Sequence, residues 1–357
     1  MVTPVGGART ASASIPRQGP ALANLHTHLG GSVRPRTWFE LTRRASTGGL
    51  TGADGPAGPR DEADARRRLC MLDNGSERSL TALLRTIAQV YPALQTPQAL
   101  ERVAYEAAVD NHLGGVSYVE VRFAPELHAR AGGVGGAVRA VATGLHRAEA
   151  EVGIRARAIV CLMRGSEPER AREVTDAAIG CSDLGVVGLD VAGDEGAFPS
   201  LLPYAAILRR ARDAGLGLTV HAGETGDTEP IREAVCDLGV RRIGHGVSVL
   251  SDPKLLRELA AREVTVEACP TSNLCTGAVT AIDRHPLWRL MEAGVPVAIG
   301  DDDPVTVGTT LAGEFAALAG AGLTAHEAGS LRRAALRAGF DATSATGTRT
   351  EASGRPA

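Results

Sequence analysis

Four histidines and three consecutive aspartates are the residues of this chain best placed to do chemistry. His26 and His28 stand one residue apart in "NLHTHLGG", residues 24–31. In a strand, residues i and i+2 face the same way, so two imidazoles there can meet one metal ion. His221 and Glu224 share "HAGE", His245 lies between glycines in "IGHG", and "GDDDP" holds Asp301, Asp302 and Asp303. Each alone admits a plainer reading: a shared polar rim, a satisfied buried histidine, a helix cap or a solvated acidic loop. Three adjacent carboxylates at the end of a buried strand repel one another, and a divalent cation removes that difficulty. Three imidazoles and one carboxylate leave zinc an open position for water, whose pKa then falls to about 7. Glu224, close to such a metal but not bound to it, could shuttle protons, and His245 could orient the water. The other histidines, at 112, 128, 146, 285 and 326, receive no role, and Cys269 is expected to pack as a small apolar residue.

These residues converge only if the scaffold brings them to one rim. The apolar runs 21–26, 115–124, 155–162, 186–193, 215–223, 241–246, 264–270 and 295–303 read as short, buried parallel strands. Helical patterns lie between them, as in "PYAAILRRARDAG", "DPKLLRELAARE" and "HPLWRLMEAG". The alternation predicts an α/β chain folded as a (β/α)8 TIM barrel, with the active site at the carboxyl ends of its strands. A doubly wound sheet is the alternative, but no G-x-G-x-x-G follows the first strand. The first crossover, 29 to 114, is far longer than one helix needs. It predicts an extended helical insertion, with helices near 61–73, 79–91 and 97–113 and a Gly-rich loop whose span 46–60 is a candidate lid or substrate wall. Residues 1–20 read as a flexible lead-in, 21–340 as one domain, and 341–357 as a disordered tail.

Composition excludes several classes. With 357 residues, 44% hydrophobic, the chain can bury a large core, and its formal net charge of −3 offers no basic surface for nucleic acid or anionic membrane. Six cysteines include no C-x-x-C pair, so neither a zinc ribbon nor a disulfide framework is indicated, and reduced thiols in the cytoplasm are expected. The first residues carry no apolar signal-peptide core, and no apolar run approaches a membrane span.

Taken in order, "LHTHLGGS", "YVEVRFAPE", "GLDVAGDE", "VHAGE", "RIGHG", "CPTSN" with "TGAV", and "DDDP" resemble the adenosine deaminase family of metal-dependent hydrolases, from about residue 22 to 315. The resemblance implies one zinc ion per chain and hydrolytic loss of ammonia from C6 of an adenine ring, with a small-molecule purine nucleoside as the partner. It implies His26, His28, His221 and Asp302 as zinc ligands, Asp302 thereby also serving catalysis. Glu224 is implied as the acid that protonates N1, and His245 as the residue that positions the attacking water and helps deprotonate it. Asp303 would accept a hydrogen bond at N7, and the Gly193 N–H would meet N3.

Four positions depart from the family pattern. Gly30 stands where adenosine-acting members carry an Asp that contacts the ribose 5′-hydroxyl, and adenine deaminases a Glu. Leu83 and Ile87 replace frequent aromatics. Together they are expected to leave room for a substrate altered at the 5′ end, such as aminodeoxyfutalosine or methylthioadenosine. Asp301 replaces a small residue, and its charge is expected to act on the metal site. Adenosine or 2′-deoxyadenosine is the default substrate, free adenine a further alternative, and a catalytically inactive nucleoside-binding barrel the reading from another class. A two-metal hydrolase would need a bridging lysine, and the sole lysine, Lys254, falls on a predicted helix.

Overall fold

The computed structural model describes residues 21–47, 58–75, 77–128 and 130–341. The lead-in at 1–20, most of the candidate lid, and the tail after 341 lie outside the described residues. Eight strands run in chain order around one parallel sheet: β1 (Leu22–His28), β2 (Val116–Phe123), β3 (Arg155–Met163), β4 (Val186–Ala192), β5 (Gly217–Ala222), β6 (Arg242–His245), β7 (Thr265–Ala268) and β8 (Val297–Ile299). Each is hydrogen-bonded to the next, and the ring closes through a single parallel bridge between Thr27 and Asp302. Two backbone hydrogen bonds make that seam: Asp302 N–H to His26 O at 2.9 Å and His28 N–H to Asp302 O at 2.6 Å.

Strand ends differ from the expected runs at the places where chemistry collects. β1 continues to His28, carrying both histidines. β6 stops at His245 and β8 at Ile299, because His245 and Asp302 take positive φ values, 66° and 57°, that no strand can continue. Among the described residues the first crossover holds five α-helices: α1 (Pro35–Thr47), α2 (Glu62–Leu69), α3 (Met71–Asn74), α4 (Leu80–Ala88) and α5 (Pro97–Leu113). The helix expected at 61–73 breaks at Cys70, whose extended backbone separates α2 from α3, and α1 was not foreseen. Ser79 and Thr96 cap α4 and α5 through their side chains. No helix among the described residues is long and apolar enough to cross a membrane.

The barrel interior is stacked from polar layers rather than filled with aliphatics. At its base the Arg242 guanidinium lies 3.9 Å above the Phe340 ring. Arg242 donates to Glu120 at 2.6 Å and to Glu267 at 2.5 Å. One layer higher, Arg122 donates to Asp190 at 3.1 Å and to Glu267 at 2.8 Å. All five side chains are essentially inaccessible to water. Buried charges persist only when paired and hydrogen-bonded. This charged floor is what the candidate site stands on.

Candidate active site

His26 and His28 from β1, His221 from β5 and Asp302 after β8 converge at the carboxyl end of the barrel, with one donor atom from each within 4.8 Å of the others. Asp302 Oδ1 lies 3.3 Å from Nε2 of both His26 and His28, and the Nε2 atoms of His28 and His221 are 3.1 Å apart. The floor fixes two of the tautomers. His26 Nδ1 meets Glu267 at 2.9 Å and His221 Nδ1 meets Asp190 at 3.0 Å, so each donates from Nδ1 and turns a bare Nε2 lone pair inward. His26 Nε2 is buried and has no hydrogen-bond partner. Lone pairs packed face to face beside a carboxylate repel unless a cation sits among them. Carboxylate–histidine pairs of this kind are also how metal-binding imidazoles are oriented. The residues therefore fit a metal ion, and three imidazoles with one carboxylate suit zinc. Burial opposes charge on Asp302, yet His26, His245 and His28 hold its carboxyl well below the usual range. Cys269 also approaches this cluster, but burial pushes its thiol well up, so it is a neutral packing residue as expected.

Glu224 and His245 flank the cluster, with His245 Nε2 3.6 Å from Glu224 Oε1 and 4.0 Å from Asp302 Oδ2. Burial pushes the Glu224 carboxyl up to about 8, Asp302 and Glu195 adding to the push against His221. Asp303 Oδ1 is buried without a partner. Burial, then Asp302, Glu224 and Asp301, push its carboxyl well up. Gly31 makes room for it: a Cβ there would lie 2.0 Å from Asp303 Oδ1, so no other residue fits. Gly193, at φ 113°, lines the same cleft. Asp301 points away. Its carboxylate accepts from Asn24 Nδ2 at 2.8 Å and from the Leu311 N–H at 3.1 Å, so its direct work is tying β8 to β1 and to the helix Leu311–Gly320. Its expected influence on the site survives only as a contribution to raising Asp303.

Three supports escaped the sequence reading. Glu195 accepts from the N–H groups of Gly223 and Glu224, at 2.7 and 2.8 Å, and so clamps the turn that presents Glu224. Glu267 and Arg122 form the floor; a charged residue inside an otherwise apolar strand was the available signal. The third support is a relay. The Leu287 N–H can only donate, so His285 Nδ1, 3.1 Å away, is an acceptor and its proton is on Nε2. That proton goes to Asn273 Oδ1 at 3.0 Å, which turns Asn273 Nδ2 toward His245 Nδ1 at 3.1 Å. Neutral His245 therefore carries its hydrogen on Nε2, facing Glu224 and Asp302. His285, given no role from sequence, sets that tautomer.

From this polar end a cleft runs outward beneath α4. Leu80, Leu83, Leu84 and Ile87, at helical spacing along α4, form one wall. The opening expected beside Gly30 is absent. A Cβ at Gly30 would lie 2.9 Å from Ile87 Cγ2 and 3.2 Å from Tyr91 Cε1, because those two side chains already occupy the space.

Comparison with known proteins agrees with this geometry. The family model described as adenosine deaminase matches residues 21–347. An adenosine deaminase of Edwardsiella ictaluri is 35% identical over 309 residues, 86% of this chain and 89% of that protein. Among solved structures, an adenine deaminase from Arthrobacter aurescens superposes with a TM-score of 0.80 at 26% identity, covering 92% of this chain and 96% of that one. The Arabidopsis ADAL protein complexed with GMP superposes with a TM-score of 0.76 at 28% identity, covering 90% and 92%.

Proposed function

The chain belongs to the adenosine deaminase family, and from that premise we propose that it removes the 6-amino group of an adenine nucleoside by hydrolysis, converting adenosine or 2′-deoxyadenosine to the inosine counterpart and ammonia. The observation that carries this reading is the buried donor set of His26, His28, His221 and Asp302 with Glu224 beside it at the closed end of a cleft. A zinc ion in that set supplies a water activated at neutral pH.

The chain's own residues do the rest. Glu224 donates its proton to purine N1, which draws electrons from C6 and opens it to attack. His245 holds the attacking water with the hydrogen that the Asn273–His285 relay leaves on Nε2. In that tautomer it is a donor, so positioning the water is its first contribution, ahead of the proton removal expected from the sequence. Asp303 faces N7. Since N7 offers only a lone pair, the hydrogen of that contact comes from the carboxyl, exchanging the donor and acceptor expected from the sequence. The Gly193 N–H serves N3. Glu224, ionised after donating to N1, then takes the proton that the water brought and passes it to the amino group, so that the C6–N bond breaks and ammonia leaves.

Gly30 opens no extra space but supplies no side-chain acceptor for a 5′-hydroxyl, and that lack favours a second reading with the same chemistry: an adenine nucleoside modified at its 5′ end, such as 5′-deoxy-5′-methylthioadenosine or aminodeoxyfutalosine. Ammonia release from metal-replete protein is the test. Adenosine is expected to be consumed, with Glu224→Gln lowering the rate by about 10²–10⁴-fold while zinc stays at one per chain. An unchanged rate in that variant would remove Glu224 from the mechanism.

A further inference from the structure

Beside Gly30 the cleft carries a polar pair that the reaction at C6 does not use. Tyr91 lies against Gly30, its ring 3.2 Å from where a Cβ would be, so the lack of a side chain at 30 is what admits it. Its hydroxyl lines the cleft and makes no hydrogen bond among the described residues. The His128 ring meets Tyr91 edge-on, with centroids 5.6 Å apart. His128 is only 2% exposed, and its Nδ1 lies 3.0 Å from Leu94 O. A carbonyl only accepts, so Nδ1 carries the hydrogen and Nε2 keeps a lone pair, with no partner among the described residues. Gln95 braces the arrangement by donating to both Tyr91 O and Leu127 O. The cleft walls around this pair are apolar: the leucine face of α4, with Phe123, Leu127 and Met163.

Resting on the purine reading above, we propose that Tyr91 and His128 form the subsite for the sugar's 5′ end, Tyr91 as donor and His128 as acceptor, and that the leucine wall of α4 restricts the 5′ substituent to an uncharged one. The cleft's only guanidinium among the described residues, Arg122, is fully buried and committed to Asp190 and Glu267. A 5′-phosphate would lose its water against leucines without gaining a counter-ion. In this respect the chain differs from the GMP-binding neighbour, and its substrate class is the nucleoside rather than the nucleotide.

The experiment is calorimetric titration of zinc-loaded Glu224→Gln protein, with and without Tyr91→Phe, using adenosine, 5′-deoxyadenosine, 5′-deoxy-5′-methylthioadenosine and adenosine 5′-monophosphate. Adenosine is expected to bind about a hundredfold more tightly than the monophosphate. The methylthio compound is expected to bind within about tenfold of adenosine, since it loses that hydrogen bond but gains apolar contact with the leucines of α4. Tyr91→Phe should weaken adenosine by about three- to tenfold and leave 5′-deoxyadenosine unchanged, as loss of one hydrogen bond requires. A monophosphate bound as tightly as adenosine overturns the proposal. So does a strong bias against the methylthio group, or equal weakening of adenosine and its 5′-deoxy form, which marks Tyr91 as merely structural. Ammonia release by the wild-type protein, measured in parallel on the same compounds, separates the two failures. No release from any of them sinks the purine reading itself, whereas release combined with an overturning titration sinks only the distal subsite.

Discussion

The two ends of the cleft are built by opposite rules. At the closed end, side chains are held in place by other side chains or backbone: His26 by Glu267, His221 by Asp190, both carboxylates by Arg122, and Glu224 through its backbone by Glu195. At the outer end the face of α4 meets two polar side chains, Tyr91 from the first crossover and His128 from the turn after β2. The closed end is strand-borne and cross-braced from across the barrel. The outer end is helix-borne and braced locally by Gln95 and Ser79. Rigidity is concentrated where charge must be positioned, and side-chain variety where shape is read.

Changes at the two ends should therefore differ in kind as well as size. The largest effect is expected from His221→Ala, which removes a metal donor: zinc content should fall well below one per chain and turnover by at least about 10³-fold, checked by elemental analysis beside the ammonia assay. Retention of full zinc by that variant would break the closed-end assignment. Next comes the floor. Arg122→Met leaves Asp190 and Glu267 buried with too little positive charge, and a loss of about 3–5 kcal/mol in unfolding free energy is expected from denaturant titration. At the outer end Leu84→Ala should raise KM by about three- to tenfold with kcat unchanged, since it removes contact made equally in ground and transition states. A fall in kcat instead would show that the outer end positions the reacting carbon as well.

The smallest expected effect concerns acid. Burial lowers His128 to about 4 and His285 to about 3, so both are neutral in the fold. Below about pH 6.5 the unfolded chain takes up protons that the folded chain refuses. Stability from these two groups is thus complete above that pH and falls as pH drops toward 4, by up to about 1.4 kcal/mol per pH unit for each. Tm measured across pH 7 to 4.5 should fall less steeply in His285→Gln than in the wild type, once each curve is referred to its own value at pH 7.

Strand ends were readable because a barrel repeats: once eight apolar runs are marked, whatever polar residue terminates each run must reach the same rim. His26, His221, Glu224 and Asp302 were visible for that reason, as were the barrel itself and its long first crossover. Partners that act across the repeat were not. Nothing in the local pattern around Tyr91 says that it will lie on Gly30, sixty-odd residues earlier, because a turn's path is set by packing rather than by periodicity. Glu195 clamping Glu224 and His285 steering His245 through Asn273 are of the same kind: contacts between consecutive strand ends, fixed by three-dimensional register. The breaks in β6 and β8 escaped for another reason. Positive φ at His245 and Asp302 is uncommon for any residue but glycine, and no local pattern around them announces it.

The seam between β1 and β8 gives the metal donors a topological office. Asp302 lends its backbone N–H and C=O to the bridge while its carboxylate turns toward the rings of His26 and His28, the residues it pairs with. An ion seated there rivets the first strand to the last through side chains at the very step where main-chain pairing is thinnest. A slip of one residue along the seam would send these side chains to opposite faces. Only the native register can capture the ion, so capture favours that register by mass action. Amide exchange at His28 and Asp302 is therefore expected to slow when the ion is bound, the ring of strands being locked shut by its own cargo.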